Sequence, residues 1–263
     1  MSIIHGGAAT PSYRHSDRVR LVDSDAPLGW LEAGWRDFLA SPATSAGFGL
    51  VFAVVGLALT VAVWRTPFDY MLLPLVSGFM LIGPVATAGF QAMSRDLENG
   101  RRPSLGSAFS ALRANAGPIF WAALAFLFLF LVWLRISELL FALTFPAEAA
   151  LDRHEMLRAA FLTVGGLEFL ALFALVGLVF AVLAFAGGAF ALSMLVDRPV
   201  GAAEAIATSF TAVLANPRAM AVWAAILVAL TAAGMALAFV GLVVALPVAG
   251  HASWRAYRAV IRQ

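Results

Sequence analysis

The sequence has no cysteine, and lysine is absent as well. Without thiols there is no disulfide, no thiolate-held iron–sulfur cluster and no cysteine nucleophile. All 17 basic residues are arginine, a bias that GC-rich codon usage explains. They are scattered along the chain instead of gathered on one patch, which speaks against a nucleic-acid partner. Charge of either sign is scarce: 12% of residues are charged, where soluble domains carry about 25%. There are four histidines, and only His251 falls in or near an apolar run. Haem in a membrane bundle needs paired axial ligands, so a haem–copper core is excluded on ligand count. His251, beside Trp254 and Arg255, is expected at the membrane interface. His154-Glu155 opens like a zinc-protease motif, but Arg158 stands where the second histidine belongs. Gly-x-Ser-x-Gly and phosphate-cradling glycine loops are missing too. No catalytic residue, metal ligand or cofactor is therefore assigned.

What remains is overwhelmingly apolar. Hydrophobic residues make up 62% of the chain, and the mean hydropathy is +0.90. Such a chain cannot hide its apolar surface in a water-soluble core, and the natural solvent is the bilayer. A spanning helix takes about 20 predominantly apolar residues. Runs of that kind lie near Ser45–Trp64, Tyr70–Met93 (with Pro74 and Pro84) and Pro118–Phe141. Ala159–Val196 reads as a short interfacial helix over Met156–Val164 followed by one long span from about Gly166 to Val196. Ala219–Ala249 and its flanks read as two spans, near Arg218–Gly234 and Ala236–Arg255. The fold class is all-α: a polytopic transmembrane helix bundle of about six spans, with five as the alternative.

The first 26 residues are polar and lack the apolar core of a signal peptide, so they are expected to be a disordered cytoplasmic tail. Residues 27–263 form a single transmembrane domain. Leu28, Leu31, Trp35 and Phe38 share one helical face, which predicts an interfacial helix lying along the membrane surface. With six spans, both termini and thirteen of the seventeen arginines fall on one side, which places the termini in the cytoplasm.

Two stretches align without gaps at an offset of 101. Met93, Asp96, Gly100, Phe109, Ala111, Ala114 and Asn115 are repeated as Met194, Asp197, Gly201, Phe210, Ala212, Ala215 and Asn216. In each copy a span ends near the aspartate, a glycine turn follows, an amphipathic helix runs along the cytoplasmic face, and asparagine starts the next span. The apolar stripes are Leu105, Ala108, Phe109 and Leu112 in the first copy, and Ala203, Ile206, Phe210 and Val213 in the second. Both copies point the same way, so the repeat is parallel and partial, with halves of about 68–143 and 166–235.

Charges within apolar runs are costly unless paired or wet. Glu168 is the only acid in a 38-residue apolar run. Arg135 and Glu138, three apart on one helix, can pair. Glu168, Arg135 and Glu138 are thus the candidate intramembrane polar site, either lining an ion path or snorkelling at the outer interface.

The closing pattern is distinctive: Met194-Leu-Val-Asp-Arg-Pro199, Glu204 with Ser209, Asn216, Pro247, and Gly250-His-Ala-Ser-Trp-Arg-Ala-Tyr257. Together with Gly29-Trp-Leu-Glu-Ala-Gly-Trp-Arg-Asp37 it resembles a bacterial family of predicted integral membrane proteins, domain of unknown function family 2189. The resemblance runs from about Leu28 to the C-terminus. It implies a bacterial inner-membrane location and supplies no catalytic residues. The expected role is a non-enzymatic one, scaffolding or assisting assembly of a membrane complex. Its partners would be the lipid bilayer and either another membrane protein complex or a second copy. The alternative is a small transporter or channel with Glu168 lining the path.

Overall fold

The computed structural model describes residues 18–66, 71–145 and 153–262. They form eleven helices: α1 (Ala26–Ala40), α2 (Pro42–Trp64), α3 (Leu72–Glu98), α4 (Leu105–Ala114), α5 (Ala116–Thr144), α6 (Arg153–Leu162), α7 (Val164–Gly188), α8 (Ala191–Asp197), α9 (Ala202–Ala215), α10 (Pro217–Ala236) and α11 (Leu242–Val260). One isolated antiparallel bridge joins Val19 to Ile261. The chain is thus all-α, and four of its helical stretches are long and apolar enough to cross a membrane: Pro42–Trp64, Ala116–Thr144, Val164–Asp197 and Pro217–Ala236. Helices α3 and α11 coincide with the two other expected spans. Both are long, but their ends carry charge: Arg95, Asp96 and Glu98 in α3, Arg255 and Arg258 in α11. The end of the bundle holding these groups is the basic end.

Helix α11 is the hub, packed against α1, α2, α3, α8 and α10. From Leu246 to Trp254 every residue is buried. Small residues permit this, since lipid tails offer helices no hydrophobic drive and close backbone approach must hold them together. A Cβ on Gly34 of α1 would fall 2.5 Å from the Ala252 backbone nitrogen, and one on Gly250 would fall 2.6 Å from Phe90 Cβ of α3. Pro247, inside α11, has no N–H for the Val243 carbonyl four residues back. That carbonyl abuts α2, where a Cβ on Gly49 would lie 2.8 Å from it.

Helix α1 packs on its neighbours through residues that, Phe38 apart, lie off its apolar stripe. Trp30, Gly34, Asp37 and Phe38 turn inward, while Leu28 and Trp35 are exposed. Selecting apolar residues as the buried stripe assumes water outside. Here the inner face is chosen by fit and hydrogen bonding, and the outer face mixes Leu28, Trp35 and Leu39 with the exposed ion pair of Glu32 and Arg36. In α4 the protein covers Ala108 of the expected stripe together with Ala111, while Leu105 and Phe109 are left uncovered by protein. In α9 the buried residues are Ala205, Thr208, Ser209 and Ala212, with Ile206 and Phe210 half-buried over Gly187.

The expected continuous span Gly166–Val196 is interrupted. Helix α7 stops at Gly188 and α8 restarts at Ala191. Ser209 of α9 stands in the gap: its hydroxyl donates to the Ala186 carbonyl at 2.8 Å and accepts from the Phe190 N–H at 3.1 Å. Those are the two backbone groups a continuous helix would pair with each other, so an inserted side chain takes over the helical bond. The last two helices part at Leu237–Gly241, so that of the two glycines expected as breaks Gly241 ends the turn while Gly234 stays inside α10, and Ala238 and Phe239 in the turn have φ of 50° and 67°.

Most of the expected disordered tail lies outside the described residues, but its final part is ordered. Arg20 N–H donates to Val260 O at 2.8 Å, Arg262 N–H donates to Arg18 O at 2.8 Å, and Arg18 pairs with Glu204. The asparagines of the two aligned stretches each end one helix and begin the next, with similar backbone angles, −130°/38° at Asn115 and −124°/50° at Asn216. Asn216 accepts from Val22 N–H and donates to Arg20 O. Asn115 donates among the carbonyls of Leu195, Arg198 and Val200. The two aspartates serve different partners: Asp96 takes Arg101, and Asp197 accepts the Tyr257 hydroxyl at 2.6 Å. Gly100 occupies the left-handed region at φ 68°, a turn that glycine alone makes without strain, whereas Gly201 caps α9 in an extended conformation.

Candidate functional site

The three candidate charges lie toward the far end, away from the basic one. Arg135 donates to Glu138 at 2.9 Å, and its side chain is 82% exposed. Glu168 stands near the start of α7 and is exposed. Among the described residues no ion pair joins it to Arg135. No group of three or more histidine, aspartate or glutamate side chains among the described residues could hold a metal ion.

The polar groups that the structure gathers are others. His251 is 0% exposed, in contrast to its expected interfacial place. Its Nδ1 meets Ser94 Oγ of α3 at 2.7 Å, and its Nε2 meets Ser45 Oγ of α2 at 2.9 Å. Ser94 donates its one proton to Asp37 Oδ2 of α1 at 2.8 Å. It must therefore accept from His251, which puts the ring proton on Nδ1 and leaves Nε2 to accept from Ser45. Arg255 closes the array with Nε to Asp37 Oδ2 at 2.9 Å and Nη2 to Asp37 Oδ1 at 2.6 Å. One turn on, Trp254 and Arg258 donate to the two oxygens of Glu98. Arg198 donates to Tyr257, whose phenol burial and the Asp197 carboxylate hold protonated, above its usual range. Both hydroxyls and the ring N–H of the Ser45–His251–Ser94–Asp37–Arg255 chain have acceptors, and it joins α1, α2, α3 and α11. Its geometry is that of a clamp at the basic end.

The open feature lies deeper. A cavity of about 480 Å³ runs between α7 and α10, which make little contact, with α3 and α11 behind it. Its α7 wall includes Ala174, Gly177, Ala181 and Gly188, and its α10 wall runs from Trp223 to Thr231. Ala174, Leu178, Ala181 and Val182 are also solvent-exposed in the isolated chain, so the cavity opens sideways. Phe173 to Gly188 is about 22 Å of helix. Trp133 lies across the far end, its Nε1 bonded to Pro74 O at 3.1 Å and its ring against Phe173 and Phe180. Toward the basic end the cleft meets Thr87, Gln91, Trp223 and Ser253. Gln91 spends its amide N–H on Thr87 at 3.2 Å. Gln91 Oε1 and Trp223 Nε1 are buried without a hydrogen-bond partner. Gln91 is 2% exposed and Trp223 0%. Leaving such groups unsatisfied costs about 1–3 kcal/mol each.

None of the clamp or cleft residues was among the candidate sites read from the sequence, although Asp37, His251, Ser253 and Arg255 lie in its motifs. A usable signal existed: Ser45, Gln91, Ser94 and His251 are polar letters within or beside apolar runs.

No curated protein and no solved structure matches this chain. The motifs in Gly29–Asp37 and beyond Asp197 lie outside the stretch that a known family covers. Residues 72–197, from the first residue of α3 to the last of α8, match the family described as predicted integral membrane protein (DUF2189).

Proposed function

We propose that this protein is a non-enzymatic inner-membrane scaffold or assembly factor, which works in the plane of the bilayer by holding another membrane component in its lateral cleft. The observation that carries this reading is the sideways-opening, mostly apolar cavity between α7 and α10, with Thr87, Gln91, Trp223 and Ser253 among the residues around its basic end. Sites for bound molecules are concave and mostly apolar, with a few convergent polar groups. A cleft that faces lipid takes its occupant from the membrane. The buried histidine does not compete as a reaction centre, because its ring nitrogens are occupied by Ser45 and Ser94.

Transport is the weaker reading, with Glu168, Arg135 and Glu138 forming an entrance at the far end. Trp133 of α5, wedged against α3 and α7, stands between those charges and the cleft. Proton and ion flux in proteoliposomes separates the two. Flux equal to that of protein-free vesicles is expected. Flux that disappears in Glu168→Gln would overturn the in-plane reading.

A further inference from the structure

We infer that α10 and α11 form a re-entrant hairpin: their turn, Leu237–Gly241, stops inside the far half of the bilayer, where lipid acyl chains cover it beside the last two turns of α2. Register against α2 sets the depth. Helices α2 and α11 run antiparallel, and their contacts pair Ser45 with His251 and Gly49 with Pro247, while Gly56 meets Phe239 of the turn. A Cβ on Gly56 would lie 2.6 Å from the Phe239 ring. Beyond Gly56, α2 runs on for another eight residues to Trp64, about 12 Å. Counted from the Ser45–His251 contact, α2 extends about 29 Å to Trp64, and α11 only about 14 Å to Leu242. Helix α10 has the length to span, but Trp223, six residues in, packs edge-on against Trp30 of α1, so its first turns lie at the basic end.

Burial on α2 stops at the same level. Its buried positions are Ser45, Gly49, Ala53 and Gly56, and none follows. Leu57, Leu59 and Val61 are exposed, and so are Leu237 and Val240 of the turn, at 66% and 67%. Because Phe239 packs on Gly56, the exposed turn adjoins the lipid-facing side of α2. The chemistry of the turn agrees. Residues 232–250 hold no polar or charged side chain, whereas the other far-end connections do: Arg65, Thr66 and Asp69 in one, Glu148 and Asp152 in the other. Turns in water favour Gly, Pro, Asn, Asp and Ser. Ala238 and Phe239 instead hold the left-handed backbone that asparagine or glycine takes more readily. Hydrocarbon requires backbone groups to be satisfied internally. Three N–H groups of the turn are spent within the hairpin: Leu237 on Ala233 O at 3.3 Å, Phe239 on Met235 O at 3.2 Å and Val240 on Leu237 O at 3.0 Å. Thr60, the one hydroxyl on the end of α2, donates to Gly56 O at 2.9 Å. The hairpin enters and leaves at the basic end whether or not its tip crosses, so the side of the two termini does not depend on it.

The test measures depth by spin labelling of the full chain, which has no cysteine of its own, in phosphatidylcholine nanodiscs. Single nitroxides are attached at Leu237→Cys and Val240→Cys, with Val55→Cys and Arg65→Cys as rulers on α2; all four side chains are exposed. Depth is read from collision with oxygen, which partitions into hydrocarbon, and with a water-soluble nickel chelate. Both turn labels are expected at the depth of Val55→Cys and about 10 Å deeper than Arg65→Cys, the offset that α2 sets, with high oxygen and low nickel contact. Either turn position alone decides the depth if the other variant does not fold. A turn label at the depth of Arg65→Cys would overturn the inference, since the hairpin would then reach the far surface. Low contact with both reagents would overturn the lipid cover in favour of a polypeptide, and spectral broadening between labels would identify that polypeptide as a second copy of this chain.

Discussion

Replacing Asp37 by asparagine should loosen the whole basic end. The carboxylate takes three donors: Arg255 Nη2 on Oδ1, and Arg255 Nε with Ser94 Oγ on Oδ2. Asparagine offers one acceptor oxygen. In its better orientation that oxygen replaces Oδ2 and keeps two bonds, but the new NH2 then faces the guanidinium Nη2, donor against donor. The shortest bond of the pair, 2.6 Å, is lost and Arg255 is left without its counter-charge. Breaking a buried pair costs about 3–5 kcal/mol. The Arg255 side chain keeps 28% of its surface, so solvent recovers part of its charge and a loss near the lower end, about 3 kcal/mol, is expected. Unfolding in mixed micelles, followed for Asp37→Asn, Arg255→Gln and the double variant, measures it. Contacting charges in one network should show a coupling of about 1.5 kcal/mol or more. Additive single effects would refute the clamp.

Gly34→Ala places a methyl group within 2.5–2.7 Å of the Ala252 backbone, which no rotamer relieves, so α1 must lift and the melting midpoint should fall by the equivalent of about 1–3 kcal/mol. Ser209→Ala leaves the Ala186 carbonyl and the Phe190 N–H unpaired at the α7–α8 break, and about 2 kcal/mol of stability should go with them. Glu168→Gln is expected to change neither stability nor flux, since its carboxylate is exposed; lost stability that Arg135→Gln partly restores would instead reveal a structural pair. Cysteines introduced into this cysteine-free chain at Ser104 and Ala147 should be, respectively, shielded from and open to an impermeant thiol reagent in intact cells, as the arginine bias requires.

The helices were legible because long hydropathy runs mark them. Expected Ser45–Trp64 and Pro118–Phe141 became Pro42–Trp64 and Ala116–Thr144. What lay beyond the sequence was the inward direction. On α1 the apolar stripe of Leu28, Leu31, Trp35 and Phe38 drew the reading, which passed over Gly34 and Asp37, the residues that make the contacts with α11. In lipid an apolar residue gains nothing by turning inward, so hydrophobic periodicity marks the lipid-facing surface as readily as the core. The interruption of the α7 run was hidden for another reason: Ser209, distant in sequence, replaces the missing backbone bond. Charge drew the reading to Glu168, which is exposed, whereas the buried polar chemistry joins the Asp37–Arg255 pair to neutral side chains, Ser45, Ser94 and His251. Gln91 and Trp223 could not be singled out at all, since lacking a partner is a property of the packed structure.

Photocrosslinking in native membranes tests the cleft most directly. p-Benzoylphenylalanine is placed at Ala181, inside the cleft, and in a separate variant at Leu59, on the exposed face of α2. A discrete adduct at Ala181 that is absent at Leu59, whether lipid or polypeptide, is the expected result. The same diffuse lipid labelling at both positions would contradict the assignment of the cleft as the working site.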